Sequence, residues 1–252
     1  MEGLIPLFQI SFPLNEGNLF EQNWVDAQAG FAVQFTGRNQ DGTAPWSVVE
    51  DVTFRNNIVR HSGSGINILG FDNNFTSQQT KRIAIRNNLF ADIGGTQWGG
   101  GGRLFQLLTG TADVVIEHNT AFQTGVIIMA DGAPNTGFVY RDNIAPHNDY
   151  GVFGSGSSSG NASLAQYFPQ AVFEYNVLVA QPIYSTLYPP GNFFPTTLAD
   201  VDFNDLATGD CRLAPSSPYK NSASDGTDIG ADIDALNAAT AGVLTGASAL
   251  IR

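Results

Sequence analysis

The sequence predicts an all-β chain wound as a solenoid, in which about six short coils of strand lie parallel and stack along one axis. Three observations predict it. One asparagine returns at the same place in a repeated segment, as Asn18, Asn57, Asn88, Asn119, Asn143 and Asn176. By subtraction of positions the steps are 39, 31, 31, 24 and 33 residues, within the period range of stacked arrays. The residues before each asparagine alternate: Val52 and Phe54, Ile83 and Ile85, Val114 and Ile116, Phe138 and Tyr140, Ala171 and Phe173 fall five and three positions ahead of it, the two-residue period of a half-buried strand. Finally, only 13% of the 252 residues are charged and 28 are glycine, a profile suited to many short strands and tight turns.

The elements follow in order. Residues 1–14, MEGLIPLFQISFPL, break the repeat. They are apolar, yet they lack the basic start and cleavage site of a signal peptide, and Pro6 and Pro13 interrupt a membrane helix. The first coil of a solenoid needs cover, so this segment is expected to be an irregular cap. An imperfect cap would favour a homo-oligomer joined through the N-terminal end. Residues 15–188 form the solenoid proper. After each asparagine come a short apolar pair, a polar or glycine turn and a second apolar run, such as Phe31 to Phe35, Gly65 to Leu69, Leu104 to Leu108, Val126 to Met129 and Gly151 to Phe153. Each repeat thus holds at least two strands and no helix. The loop GGTQWGGGGR after Asp92 reads as mobile because of its four consecutive glycines. Residues 189–252 form a final coil and a capping tail, and Ile233 to Leu250, free of proline, can be helical.

Asparagine suits a recurrent bend physically. Stacked at about 4.8 Å, each side-chain amide can donate to the next and accept from the previous one, while tolerating a left-handed backbone. With this ladder, and with the ending CRLAPSSPYKNSASDGTDIGAD, the chain resembles right-handed parallel β-helix proteins, the pectate-lyase-like superfamily of polysaccharide-active enzymes. The resemblance implies a right-handed parallel β-helix with a C-terminal capping tail, an "SP…DG.DIGA" stretch closing the last coil, and an extended polysaccharide or oligosaccharide as partner. It also implies export, although the encoded start carries no export signal; location is otherwise open.

Two registers carry charge. Two positions before each asparagine the chain reads Glu16, Arg55, Arg86, Glu117, Arg141 and Glu174, an outward column expected to form ion pairs worth roughly 0.2–1 kcal/mol each. The like pair Arg55 and Arg86 could instead clamp a sugar carboxylate. Four positions after the first five asparagines come Gln22, His61, Asp92, Gln123 and His147. In a regular stack His61 and Asp92 would be about 5 Å apart, close enough for acid–base partnership. These two are the candidate catalytic residues. Arg60, Arg103 and Trp98 are candidate substrate contacts beside them, with Arg55 and Arg86 further off. Trp24 reads as a lid, Trp46 as either a lid or an indole that stacks on a sugar ring, and His118 as a turn residue.

A net charge of −12 argues against nucleic acid and anionic membranes as partners. The single Cys211 excludes an internal disulfide. No zinc or EF-hand spacing is present, so no metal or cofactor is evident. Calcium (Ca2+) at Asp72, Asn73, Asp131 or Asn135 is left open by their oxygens. The expected function is a hydrolase, lyase or epimerase working on an extended polysaccharide by general acid/base catalysis. A non-catalytic carbohydrate-binding or adhesive solenoid and a hydrolase of a small ester or lactone are the alternatives.

Overall fold

The computed structural model of the chain describes residues 14–21 and 30–243. The N-terminal cap and the oligomer contact expected of it, Gln22, Trp24, and the tail beyond residue 243 lie outside the described residues. Three parallel sheets form the body. The first contains Leu14–Glu16, Glu50–Arg55, Lys81–Arg86, Ala112–Glu117, Val139–Arg141 and Val172–Glu174 in that spatial order. The second contains Leu19–Glu21, Ile58–Ser62, Leu89–Ile93, Thr120–Gln123, Ile144–Pro146 and Val177–Val179. The third contains Phe31–Thr36, Ser64–Leu69, Phe105–Leu108, Ile128–Asp131 and Val152–Gly154. Each coil visits the sheets in turn, so the protein is a parallel β-helix.

Stacking puts like on like. Phe54 lies opposite Ile85, Ile85 opposite Ile116, and Ile116 opposite Tyr140, which meets Phe173 in the next coil. All five are buried. Fully removing such a side chain from water contributes about 1.5–3 kcal/mol, and these columns join the inward residues of the other two sheets in one long core. No coil could bury its own inward residues alone.

The asparagine ladder lies at the corner between the first and second sheets. Asn57 donates its backbone N–H and its amide to Oδ1 of Asn88, at 3.0 and 3.3 Å. Asn88 does the same to Asn119, Asn119 to Asn143, and Asn143 to Asn176. Asn176 continues to a seventh member, Asn192, at 3.1 and 3.0 Å. That rung is only 16 residues further on, so the repeat spacing concealed it. The left-handed backbone belongs to the residue before each rung, not to the rung: Gly17, Asn56, Asn87, His118, Asp142, Tyr175 and Gly191 all have positive φ.

Three features depart from the repeat. A helix, α1 (Asn161–Tyr167), stands in the loop after the fifth coil, and a 3-10 turn, Pro182–Leu187, takes the place of a sixth strand in the third sheet. An antiparallel hairpin, Phe203–Asp205 with Asp210–Leu213, precedes the tail. The tail then does its covering along the flank. Ser224 bonds to Asp142, Ala231 to Thr120, and Asp232 to Asn87, after which α2 (Ile233–Thr240) packs Ile233 and Leu236 on Ile58 and Leu89. It thus runs from coil five back to coil one, where a Cβ on Gly17 would lie 2.6 Å from the Ala239 oxygen.

Candidate functional site

His61 and Asp92 stand next to each other at the end of the second sheet. Ile58 pairs with Leu89 and Ser62 with Ile93, so the residues between them align. Both have left-handed backbones, φ 53° and 55°, which turn their side chains outward while Ser62 and Ile93 stay buried. His61 Nε2 lies 3.8 Å from Asp92 Oδ2. On its other side His61 Nδ1 meets Glu21 Oε1 at 2.7 Å. The imidazole is therefore held between two carboxylates.

Glu21 was not among the sequence candidates, although it occupies the same register as Arg60, three positions after its asparagine. Arg60 donates to it through Nε and Nη2, at 3.0 and 3.2 Å. Burial pushes the Glu21 carboxyl up, but the hydrogen bonds and charges of Arg60 and His61 outweigh it and hold the group below its ordinary range. Arg60 is itself buried, so it stands behind the centre and anchors Glu21 there.

Trp98 roofs the imidazole. Its ring stacks on His61 with centroids 4.7 Å apart and planes 18° from parallel, and its Nε1–H donates to Asp92 Oδ2 at 2.8 Å. At 8% exposure it is part of the centre's wall and leaves little face for a sugar. The glycine loop that carries it is packed backbone to backbone, contrary to the expected mobility. A Cβ on Gly100 would sit 2.1 Å from the Gly63 oxygen, and one on Gly125 would sit 2.1 Å from the Gly101 oxygen. The glycines permit contact with the coils on both sides.

Arg103 follows this loop into a neighbouring cleft of about 370 Å³, lined also by Met129, Asn148, Tyr150 and Phe153. Tyr150 is 53% exposed and its ring lies 5.4 Å from that of Phe153. From the cleft a polar row crosses the outer face of the third sheet: Arg103 donates to Gln106 at 2.6 Å, and Gln106 donates to Asn67 at 3.0 Å. Phe153, Met129, Gln106, Asn67 and Gln34 share one register. The aromatic pair was hidden in the sequence because Phe153 reads as part of an inward apolar run.

The remaining candidates lie apart from this centre. Arg55 pairs with Glu16, and Arg86 and Arg141 both pair with Glu117, each at 3.0 Å. The outward column is thus an ion-pair ladder, in which Arg55 and Arg86 turn to different carboxylates. Gln123 aligns with Ile93 through a bulge and so leaves the His61 register. His147 is buried, with Nε2 on the Tyr188 hydroxyl and Nδ1 on the Asn148 carbonyl oxygen, and burial pushes its pKa down. Among the described residues no three histidine, cysteine or acidic side chains converge on a metal position. Of the oxygens considered for calcium, those of Asp72 accept from the Asn39 and Asn74 backbones and pair with Arg38. Asn135 is buried and bonded to Thr111 and Tyr167.

Fold and site define a parallel β-helix with a polar and aromatic track across one sheet and a carboxylate–imidazole–carboxylate centre at its edge. Set against known proteins, the chain matches no family model, no curated protein and no solved structure.

Proposed function

We propose that the protein is carbohydrate-active and takes an extended saccharide across the outer face of the third sheet, with proton transfer at Asp92. The observation that carries this reading is the Glu21–His61–Asp92 arrangement, linked to the Tyr150–Phe153 cleft by one loop that sets Trp98 on Asp92 and lines the cleft with Gly101 and Arg103. Asp92 is the most open of the three, its side chain 32% exposed against 21% for His61 and 22% for Glu21. A carboxylate backed by an imidazole, itself backed by a second carboxylate, can hold and deliver a proton. The Tyr150 and Phe153 rings offer apolar faces to sugar rings, and Arg103, Gln106 and Asn67 offer donors and acceptors to hydroxyls. On this reading the chain stands with the pectate-lyase-like β-helix enzymes its sequence resembles, as a hydrolase, lyase or epimerase.

One observation favours binding without turnover. Both nitrogens of His61 face carboxylates, and Trp98 covers a face of the ring; on this second reading the imidazole shapes the site and moves no proton. Release of reducing ends and of unsaturated products from a polysaccharide panel separates the two readings. For an enzyme, Asp92→Asn should lower kcat by about 100-fold or more, and Tyr150→Ala should mainly raise KM. Full activity in both Asp92→Asn and His61→Ala would remove this centre. Saccharide binding without any product would establish the adhesive or binding solenoid.

A further inference from the structure

A second cavity lies on the other flank, where the tail crosses the corner column of the solenoid. It measures about 730 Å³ and is walled by Arg86, Asn87 and His118 of the coils and by the hairpin and tail opposite. The roof is made of small residues. Gly226, Thr227, Gly230 and Ala231 line it, and a Cβ on Gly226 would meet nothing within 4 Å. The tail touches the coils at Asp142, Thr120 and Asn87, and at Gly226 its turn carries no side chain into the space beside them.

His118 is the distinctive group in this gap. The corner residues Asn56 and Asn87 bond to each other at 2.6 Å, whereas the His118 imidazole meets Asp225 and Asp142 only at 3.4 and 3.6 Å. Asp142 is closed off by the Ser224 N–H and hydroxyl. His118 and Asp225 are thus the pair left facing the cavity.

We infer that this cavity is a second binding site, for a neutral, hydroxyl-rich ligand of about two or three sugar rings. Each of its cations already holds a carboxylate: Arg86 shares Glu117 with Arg141, Arg212 pairs with Asp210, and Lys220 with Asp228. Asp225, Asp232 and Asp234 add further negative charge to the walls, so an anionic ligand finds repulsion and no free cation. Side chains held in fixed ion pairs still present N–H donors and carboxylate acceptors close together, a pattern that vicinal hydroxyls satisfy in both directions. Leu213, Pro215 and Ile233 supply apolar patches for C–H faces. This site does not depend on the one at His61, since the two lie at opposite edges of the second sheet.

Titration calorimetry with maltotriose, cellotriose and xylotriose tests the inference, with trigalacturonate and the trimer of glucosamine as charged comparisons. At least one neutral trimer should show a binding event that weakens at least 10-fold in both His118→Ala and Asn204→Ala and that persists in Tyr150→Ala, where only binding at the flank site is reduced. Asn204 is exposed on the hairpin and lines the cavity, so its variant reads the site without disturbing a coil corner. Binding only of the charged trimers, no binding at millimolar concentration, or binding lost in Tyr150→Ala and kept in the cavity variants would each overturn it. The last result would leave the flank site standing alone.

Discussion

At the level of single residues, the ladder shows why asparagine recurs. Asn119 accepts two hydrogen bonds from Asn88, donates two to Asn143, and donates to the carbonyl oxygens of Ile85 and Glu117. Only an amide of this length can do all of that in a buried corner. Replacing it with alanine strands donors and acceptors on both sides, and each buried orphan costs roughly 1–3 kcal/mol. Asn119→Ala should therefore lose about 2–4 kcal/mol in urea unfolding. Asn192→Ala, at the partly buried end of the ladder, should lose about half as much or less. Equal losses would show that rungs act independently of burial and of neighbours. The ladder was legible in the sequence because the amide spacing is a property of the repeat. Glu21 was less so, because its role depends on Arg60 and His61 meeting it from the next coil.

At the level of elements, the Gly95–Arg103 segment links sequence to site most directly. Glycine runs suggest freedom when read along the chain, yet here they record how closely other backbones approach, a fact available only from the stacking. Gly102 N–H donates to the Gly63 oxygen at 3.0 Å and Gly125 N–H to the Gly102 oxygen at 3.1 Å. The segment is thereby sewn to the coils on either side, and Trp98 is set over His61. Gly100→Ala forces a methyl group into the Gly63 carbonyl and must push the loop outward. The expected result is a red-shifted, more quenchable Trp98 signal, isolated by replacing Trp24 and Trp46 with phenylalanine, together with loss of stability. An unchanged emission spectrum would mean that the loop can yield without moving the indole. The ion-pair ladder teaches a complementary lesson. Its charge alternation was readable, and the position of Arg55 and Arg86 within it follows from strand register alone.

At the level of the whole molecule, a solenoid by itself is a chain of nearest-neighbour contacts, and its ends can fray separately. The tail changes that connectivity. It joins Asp142 to Ser224 across 82 residues and Asn87 to Asp232 across 145, so coils one to five share one strap. Its sequence could suggest a cap, but the direction of the tail depends on which corner residues are left outward to receive it, and this emerges only when the coils are stacked. Leu236, fully buried against Ile58 and Leu89, is the clearest point at which to loosen the strap. Leu236→Ala should cost about 2–5 kcal/mol, and the loss should be local before it is global. Amide hydrogen exchange should quicken in Leu19–Glu21 and Ile58–Ser62 while Ile144–Pro146 and Val177–Val179, further along the same sheet, keep their protection. Uniform acceleration along the sheet would mean instead that the coils already unfold as one unit without the strap, and that the tail adds stability but no cooperativity.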